Sequence, residues 1–191
     1  RLEQHLTRLY DSARYLHLTI PISREEMAEA CRESCRRNGL RDAYLRLVVT
    51  RGKGDLGLSP YNCPRASVIC IADRIRLYPA EHYRDGLTLM TASTRRTNAE
   101  TLNPRIKSLN YLNNILARIE GMLAGGQEAL MINQEGFVVE ATSDNIFLVR
   151  EGGLVTPPIW IGALRGITRD ATIEIARREG IAVRDRKSTR L

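Results

Sequence analysis

Residues 107–141 read KSLNYLNNILARIEGMLAGGQEALMINQEGFVVEA. In the first half the apolar residues Leu112, Ile115, Leu116, Ile119 and Leu123 recur every three or four positions, the repeat of one helix face, so the spacing predicts a helix over 109–123. Gly125-Gly126 ends it, because glycine readily takes the left-handed conformation in which helices stop. Beyond the glycines the period falls to two: ALMIN, the turn QEG and FVVEA alternate as strands do. A helix that hands over to strands in so short a span excludes an all-helical and an all-β chain.

The same mixture continues outward. On the C-terminal side the break TSD, NIFLV, the turn REGG and LVTPP extend the strands into a β-meander, and GALRGIT turns the chain into another helix, TRDATIEIARREG, closed by Gly180. On the N-terminal side AYLRLVVT (43–50), SVICIA (67–72) and LTLMTAS (87–93) have strand character, and the glycine-punctuated GKGDLG separates the first two. Ser23 to Gly39 reads as a helix: Ser23 is the N-cap, Glu26 closes a capping box and Gly39 is the stop. The polar stretch DRIRLYPAEHYRDG has the character of a linker. Helices and strands alternate irregularly without a repeat, which predicts an α/β (α+β) chain in two unequal domains, residues 1–73 and 85–191, joined by a linker at 74–84.

Composition narrows the function. Of 191 residues 43% are hydrophobic and 27% charged, enough apolar material for one or two cores and unlike a disordered tail. No run approaches the roughly 18 apolar residues of a membrane span, and the opening RLEQHLTRLY has no signal-peptide core, so membrane insertion and export are not expected. Cysteines at 31, 35, 63 and 70 are too few for a disulfide scaffold and match no zinc spacing. Reduced thiols in a cytoplasmic protein without a metal site are the expectation, with Cys31 and Cys35 packed on one helix face. The net charge of +7 suggests a polyanion partner, but the arginines are interleaved with acids and only seven Tyr, two Phe and one Trp are present to stack on bases. A mixed solvated surface, with no nucleic acid partner, is expected. The chain opens on Arg1 without a methionine and reads as a fragment.

Of the 29 basic residues only Lys53, Lys107 and Lys187 are lysine. Lys107 stands between a proline and an apolar helix, where a generic charge gains little. Imine formation is one task that needs a primary amine and that guanidinium cannot perform; capping a polar group is the plainer alternative. Glu140 is an acid inside the apolar FVVEA, on the face of Val138 and Thr142. If both faces are covered it requires a cationic partner or strong donor, for which a protonated pyridine nitrogen would serve; on an edge strand it would simply face water. Gly166-Ile167-Thr168 opens the last helix, where free N–H groups and a hydroxyl suit a phosphate monoester, or where Thr168 merely caps the helix. An imine-forming lysine, a buried carboxylate and a phosphate-holding helix start are together the contacts that pyridoxal phosphate needs.

HLTRLYDSA, YLRLVVTRGKGDLGL, IKSLNYLNNILARIEG, EGFVVEATSDNIFLV and GALRGITRDATIEIA closely resemble the class IV, fold-type IV pyridoxal-phosphate aminotransferases, over residues 1–185. The resemblance implies a small N-terminal α/β domain, a larger C-terminal domain and pyridoxal 5′-phosphate between them. It implies that Lys107 is the Schiff-base lysine and proton shuttle, and that Glu140 partners the pyridine nitrogen. Arg8, with Gly166, Ile167 and Thr168, would hold the phosphate, Tyr111 would hydrogen-bond the cofactor's phenolic oxygen, and Tyr44 and Arg46 would meet the substrate carboxylate. The implied reaction is amino transfer between a branched-chain L-amino acid and 2-oxoglutarate, in a homodimer when full length. D-amino acid aminotransferase and 4-amino-4-deoxychorismate lyase of the same fold are the alternatives within the family, and a non-catalytic basic binding module is the one outside it. The family's opening loop and C-terminal part have no counterpart here, and RKSTRL at the end reads as foreign, which predicts poor turnover by this piece alone.

Overall fold

Leu2, Leu6, Leu9 and Ala13 recur along one side of helix α1 (Leu2–Tyr15), and this stripe makes the helix worth forming in a stretch where sequence reading placed no element. Leu6 packs with Met27 and Ala28 of α2 (Arg24–Arg37), and Leu47, Val49 and Val68 close the cluster from below. Helix α2 starts as the sequence requires: the Ser23 hydroxyl accepts from the Glu26 N–H at 3.1 Å, and the Ser23 N–H donates to the Glu26 carboxylate at 2.7 Å. Strands β1 (Ala43–Thr50) and β2 (Ser67–Arg74) pair antiparallel, with Leu47 opposite Cys70 and Val49 opposite Val68. Alternation turns those residues to the helices and sends Tyr44, Arg46, Ile69 and Ile71 to the outer, exposed face.

The structure, a computed structural model, describes residues 1–75 and 78–185. It divides into two units, Arg1–Pro79 and Ala80–Leu191. The short helix α3 (Ala80–Asp85) occupies part of the stretch expected to be a linker, of which residues 76 and 77 lie outside the described residues, as does the RKSTRL end.

In the second unit β3 (Leu89–Thr91) is followed by α4 (Leu112–Leu123), β4 (Glu128–Ile132), β5 (Val138–Ala141), β6 (Leu148–Arg150), β7 (Gly153–Thr156), α5 (Ile167–Arg178) and β8 (Val183–Asp185). The four expected meander strands all form, but in two sheets. One sheet has the order β3-β4-β5, the other β6-β7-β8, and β5 does not pair with β6. The ladder stops because the backbone after β5 is engaged elsewhere: Ala141 N–H closes on the Asp144 carbonyl at 2.8 Å and the Thr142 carbonyl accepts from Asn114 at 2.6 Å. Strand β3 is shorter than LTLMTAS for a similar reason. Ser93 and Thr94 bend away to donate to Glu120 of α4.

Helix α4 has the expected period and the unexpected face. It buries Asn114, Ala117 and Gly121, and Ala117 packs with Ala92, Ala129 and Met131 of the sheet. Gly121 allows this approach, since a Cβ there would stand 2.8 Å from the Ala129 methyl. The larger residues Leu112, Ile115, Leu116, Ile119 and Leu123 are exposed. No helix among the described residues is long and apolar enough to cross a membrane.

Candidate active site

Lys107 is delivered by a tightly turned segment rather than by a regular element. The Asn98 side chain receives the N–H groups of Glu100 and Thr101, and the Asn103 side chain receives that of Arg105. Ile106 N–H then bonds to the Asn103 carbonyl, and Ser108 N–H to the Ile106 carbonyl. The chain enters α4 through Tyr111, whose carbonyl accepts the Ile115 N–H at 2.9 Å. This winding places Lys107 over Tyr111: Nζ donates to the phenol oxygen at 2.7 Å.

Glu140, in the middle of β5, is 5% exposed, so both faces of that strand are covered and the solvent-facing alternative is excluded. Its Oε1 is 2.8 Å from a terminal nitrogen of Arg96, and its Oε2 accepts the Leu164 N–H at 3.1 Å. Burial pushes the Glu140 carboxyl up to about 7, against the opposing pull of the Arg96 charge, the Leu164 N–H and the Lys107 charge. The Lys107 charge is thus among those that act on Glu140, and both residues belong to the second unit.

Leu164 also leads into the third feature, two residues before α5. Gly166 is the N-cap and has no side chain with which to close the helix, so the first-turn N–H groups stay available to an anion. A Cβ at Gly166 would stand 1.7 Å from Asn145 Oδ1, so a side chain there fits only if Asn145 gives way. Ile167 is buried and Thr168 exposed at this end. These residues fit pyridoxal phosphate: a primary amine on a turned segment, a carboxylate on β5 and an open helix start at α5 belong to one unit.

The other expected site residues belong to the first unit. Arg8 is half-buried on α1, while Tyr44 and Arg46 lie two residues apart on the outer face of β1, opposite Asp73 and Ile71 of β2. An open depression of about 750 Å³ in that unit is lined by Lys53, Asn62, Arg65 and Ser67 among others, and none of the expected site residues lines it.

The family model for amino-transferase class IV matches residues 1–190. The chain belongs to the class IV aminotransferases. Among curated relatives of this family, the putative branched-chain-amino-acid aminotransferase of Methanocaldococcus jannaschii is 50% identical over 182 residues, covering 95% of this chain and 62% of the relative. The crystal structure of Escherichia coli branched-chain amino acid aminotransferase superposes with a TM-score of 0.95 at 35% identity, over 100% of this chain and 63% of that one. The branched-chain amino acid aminotransferase from Thermobaculum terrenum, in its PLP-bound holo form, gives 0.87 at 32% identity, over 100% and 62%. The fold-type IV expectation is thereby met. The chain spans somewhat under two thirds of the length of these class IV relatives.

Sequence reading missed Arg96, Asn114, Glu128 and Thr142, all buried polar residues of the second unit. The signal for one of them was present: a buried acid in a strand demands a cation. What the sequence did not carry is which of many arginines answers that demand.

Proposed function

We propose that the protein is a pyridoxal 5′-phosphate-dependent aminotransferase that moves an amino group between a branched-chain L-amino acid and 2-oxoglutarate, with Lys107 as the Schiff-base lysine. The observation that carries this reading is the placement of the Lys107 amine against the Tyr111 phenol, with its charge acting on the buried Glu140, on a unit whose α5 start is open to an anion. Membership of the class IV family and likeness to branched-chain aminotransferases support the choice of substrate.

Bound pyridoxal phosphate would supply an electron-accepting ring and an aldehyde that a primary amine can attack. Lys107 would hold that aldehyde through Nζ, and its amine, when free, would carry the proton of the substrate α-carbon. Tyr111 accepts the lysine's Nζ at its phenol oxygen and would donate its O–H to the phenolic oxygen of the cofactor. Glu140 presents its carboxylate to the ring nitrogen and keeps a proton there. The N–H groups at Gly166, Ile167 and Thr168 receive the phosphate with the help of the α5 dipole, and Arg8 contributes a counter-charge. Tyr44 and Arg46 bind the substrate carboxylate. The working enzyme on this reading is a cytoplasmic homodimer.

Borohydride reduction of the protein loaded with pyridoxal phosphate, followed by peptide mapping, tests the centre of this reading: the pyridoxyl group is expected on Lys107, and its appearance on any other residue overturns the assignment. Glutamate formation from L-leucine and 2-oxoglutarate by the full-length protein tests the substrates. Strict use of D-alanine, or pyruvate release from 4-amino-4-deoxychorismate, would replace them.

A further inference from the structure

A guanidinium can be pinned in one plane by acceptors lying in three directions, which an ammonium cannot. Arg96 is pinned in this way. Its Nε donates to the Gly162 carbonyl at 3.3 Å, one terminal nitrogen donates to Asn114 Oδ1 at 2.7 Å, and the other is 2.8 Å from Glu140 Oε1. Asn114 is fixed from behind, since its Nδ2 donates to the Thr142 carbonyl at 2.6 Å. The Thr142 hydroxyl in turn donates to Glu128, which also receives the Arg118 guanidinium and the N–H of Ala129. Burial alone would push the Glu128 carboxyl up, but these donors outweigh it and hold it below the usual carboxylate range. A continuous buried polar chain thus runs from Glu128 to Glu140, through the first turn of the helix that follows Lys107.

Resting on the aminotransferase reading above, we propose that Arg96 is a positioning residue for Glu140: held by Gly162 and Asn114, it fixes the carboxylate in place opposite the cofactor's ring nitrogen and favours its anionic form. The charged and donor groups that face Glu140 are Arg96 from the segment after β3, Lys107 from the loop before α4, and the Leu164 N–H from the turn before α5. Arg96 opposes the effect of burial most strongly among them. Without its charge the carboxyl holds its proton to higher pH, and a neutral acid no longer favours a protonated ring nitrogen. Arg96 touches neither substrate nor cofactor on this account and acts through Glu140 alone.

The test compares wild type with Arg96→Met, Arg96→Lys and Asn114→Ala. In the apoprotein the carboxyl infrared band assigned to Glu140 by its loss in Glu140→Gln is followed against pH; in the holoprotein the ring-nitrogen resonance of 15N-labelled pyridoxal phosphate reports protonation. The wild-type band is expected to titrate near 7. In Arg96→Met the midpoint should rise by about one to two pH units, and the ring nitrogen should lose its proton at a lower pH than in wild type. Arg96→Lys restores part of the shift, and Asn114→Ala, which keeps the charge but loosens it, gives a smaller rise. In steady state kcat falls with KM little changed. Folded variants whose carboxyl midpoint and ring-nitrogen signal match wild type overturn the proposal. Should Arg96→Met fail to fold, Arg96→Lys and Asn114→Ala decide by the same two readings. If wild type forms no adduct on Lys107, the aminotransferase reading fails, while the apoprotein titration still decides whether Arg96 governs Glu140.

Discussion

The Lys107 amine and the Tyr111 phenol are joined by a 2.7 Å hydrogen bond, and the amine also lies 5.3 Å from the centroid of the same tyrosine ring. The two distances together put the nitrogen beyond the ring edge on the oxygen's side, so it is the hydroxyl that holds the nucleophile. Tyr111→Phe removes that hydrogen bond and keeps the ring. The variant is expected to retain the borohydride-fixed adduct on Lys107 while kcat drops on the order of a hundredfold, the range lost with a positioned proton-transfer partner. Steady-state kinetics beside peptide mapping checks this, and an unchanged kcat would remove Tyr111 from the site.

Gly166→Ala forces a methyl group to 1.7 Å from Asn145 Oδ1. Either the Asn145 side chain or the helix start has to move, at a cost of about 1–3 kcal/mol typical of overpacking, and pyridoxal phosphate should bind at least several-fold more weakly. Adding Asn145→Ala should recover the stability lost. Urea denaturation and cofactor titration of the single and double variants measure the two effects separately; a double variant no more stable than Gly166→Ala would show that Asn145 is not the obstacle.

Glu120 receives the hydroxyls of Thr94 and Ser93 and both their N–H groups, which hold its carboxyl down at about 2 from an ordinary 4.5. A folded pKa below the unfolded one means that the unfolded chain binds the proton first as pH falls. The stabilisation is thus present above about 4.5 and lost as pH drops towards about 2. Glu120→Gln should be less stable than wild type at pH 7, and the gap should close across that window. Denaturation midpoints taken at intervals from pH 7 to pH 2 check it, and a gap that stays constant contradicts it.

Burial, with the nearby Cys70 and Cys35 thiols, pushes the Cys31 thiol up to about 12. The thiolate is the reactive form, so Cys31 should resist iodoacetamide at pH 8 in the folded protein and react once urea unfolds it. The partly exposed Cys35 and Cys63 should be labelled first. Mass spectrometry of timed digests gives the order directly. Early labelling of Cys31 would mean that α2 does not seat on β2 as described.

Much of the secondary structure was legible because its causes are local. The Ser23–Glu26 capping box, the alternation in AYLRLVVT and the turn between ALMIN and FVVEA involve groups a few residues apart, and each element forms where those groups require. Helix α1 escaped notice because its leucine stripe is sparse and interrupted by charge. The candidate site was legible in outline for a different reason: Lys107 in an arginine-rich chain and Glu140 in an apolar strand are anomalies of residue type, and anomalies show without coordinates.

The sequence by itself thus determined the mixed fold class, most element positions and the two residues on which the proposed chemistry turns. Tertiary structure alone decided the rest. It gave Glu140 its Arg96 counter-ion, turned the small-residue face of α4 to the sheet in place of the leucines, and parted β5 from β6. Each of these depends on groups far apart in the chain: an ion pair, a close approach at Gly121 and the hydrogen bond of Asn114 to the Thr142 carbonyl. Periodicity records what a segment prefers on its own, and such contacts are settled only when the segments meet.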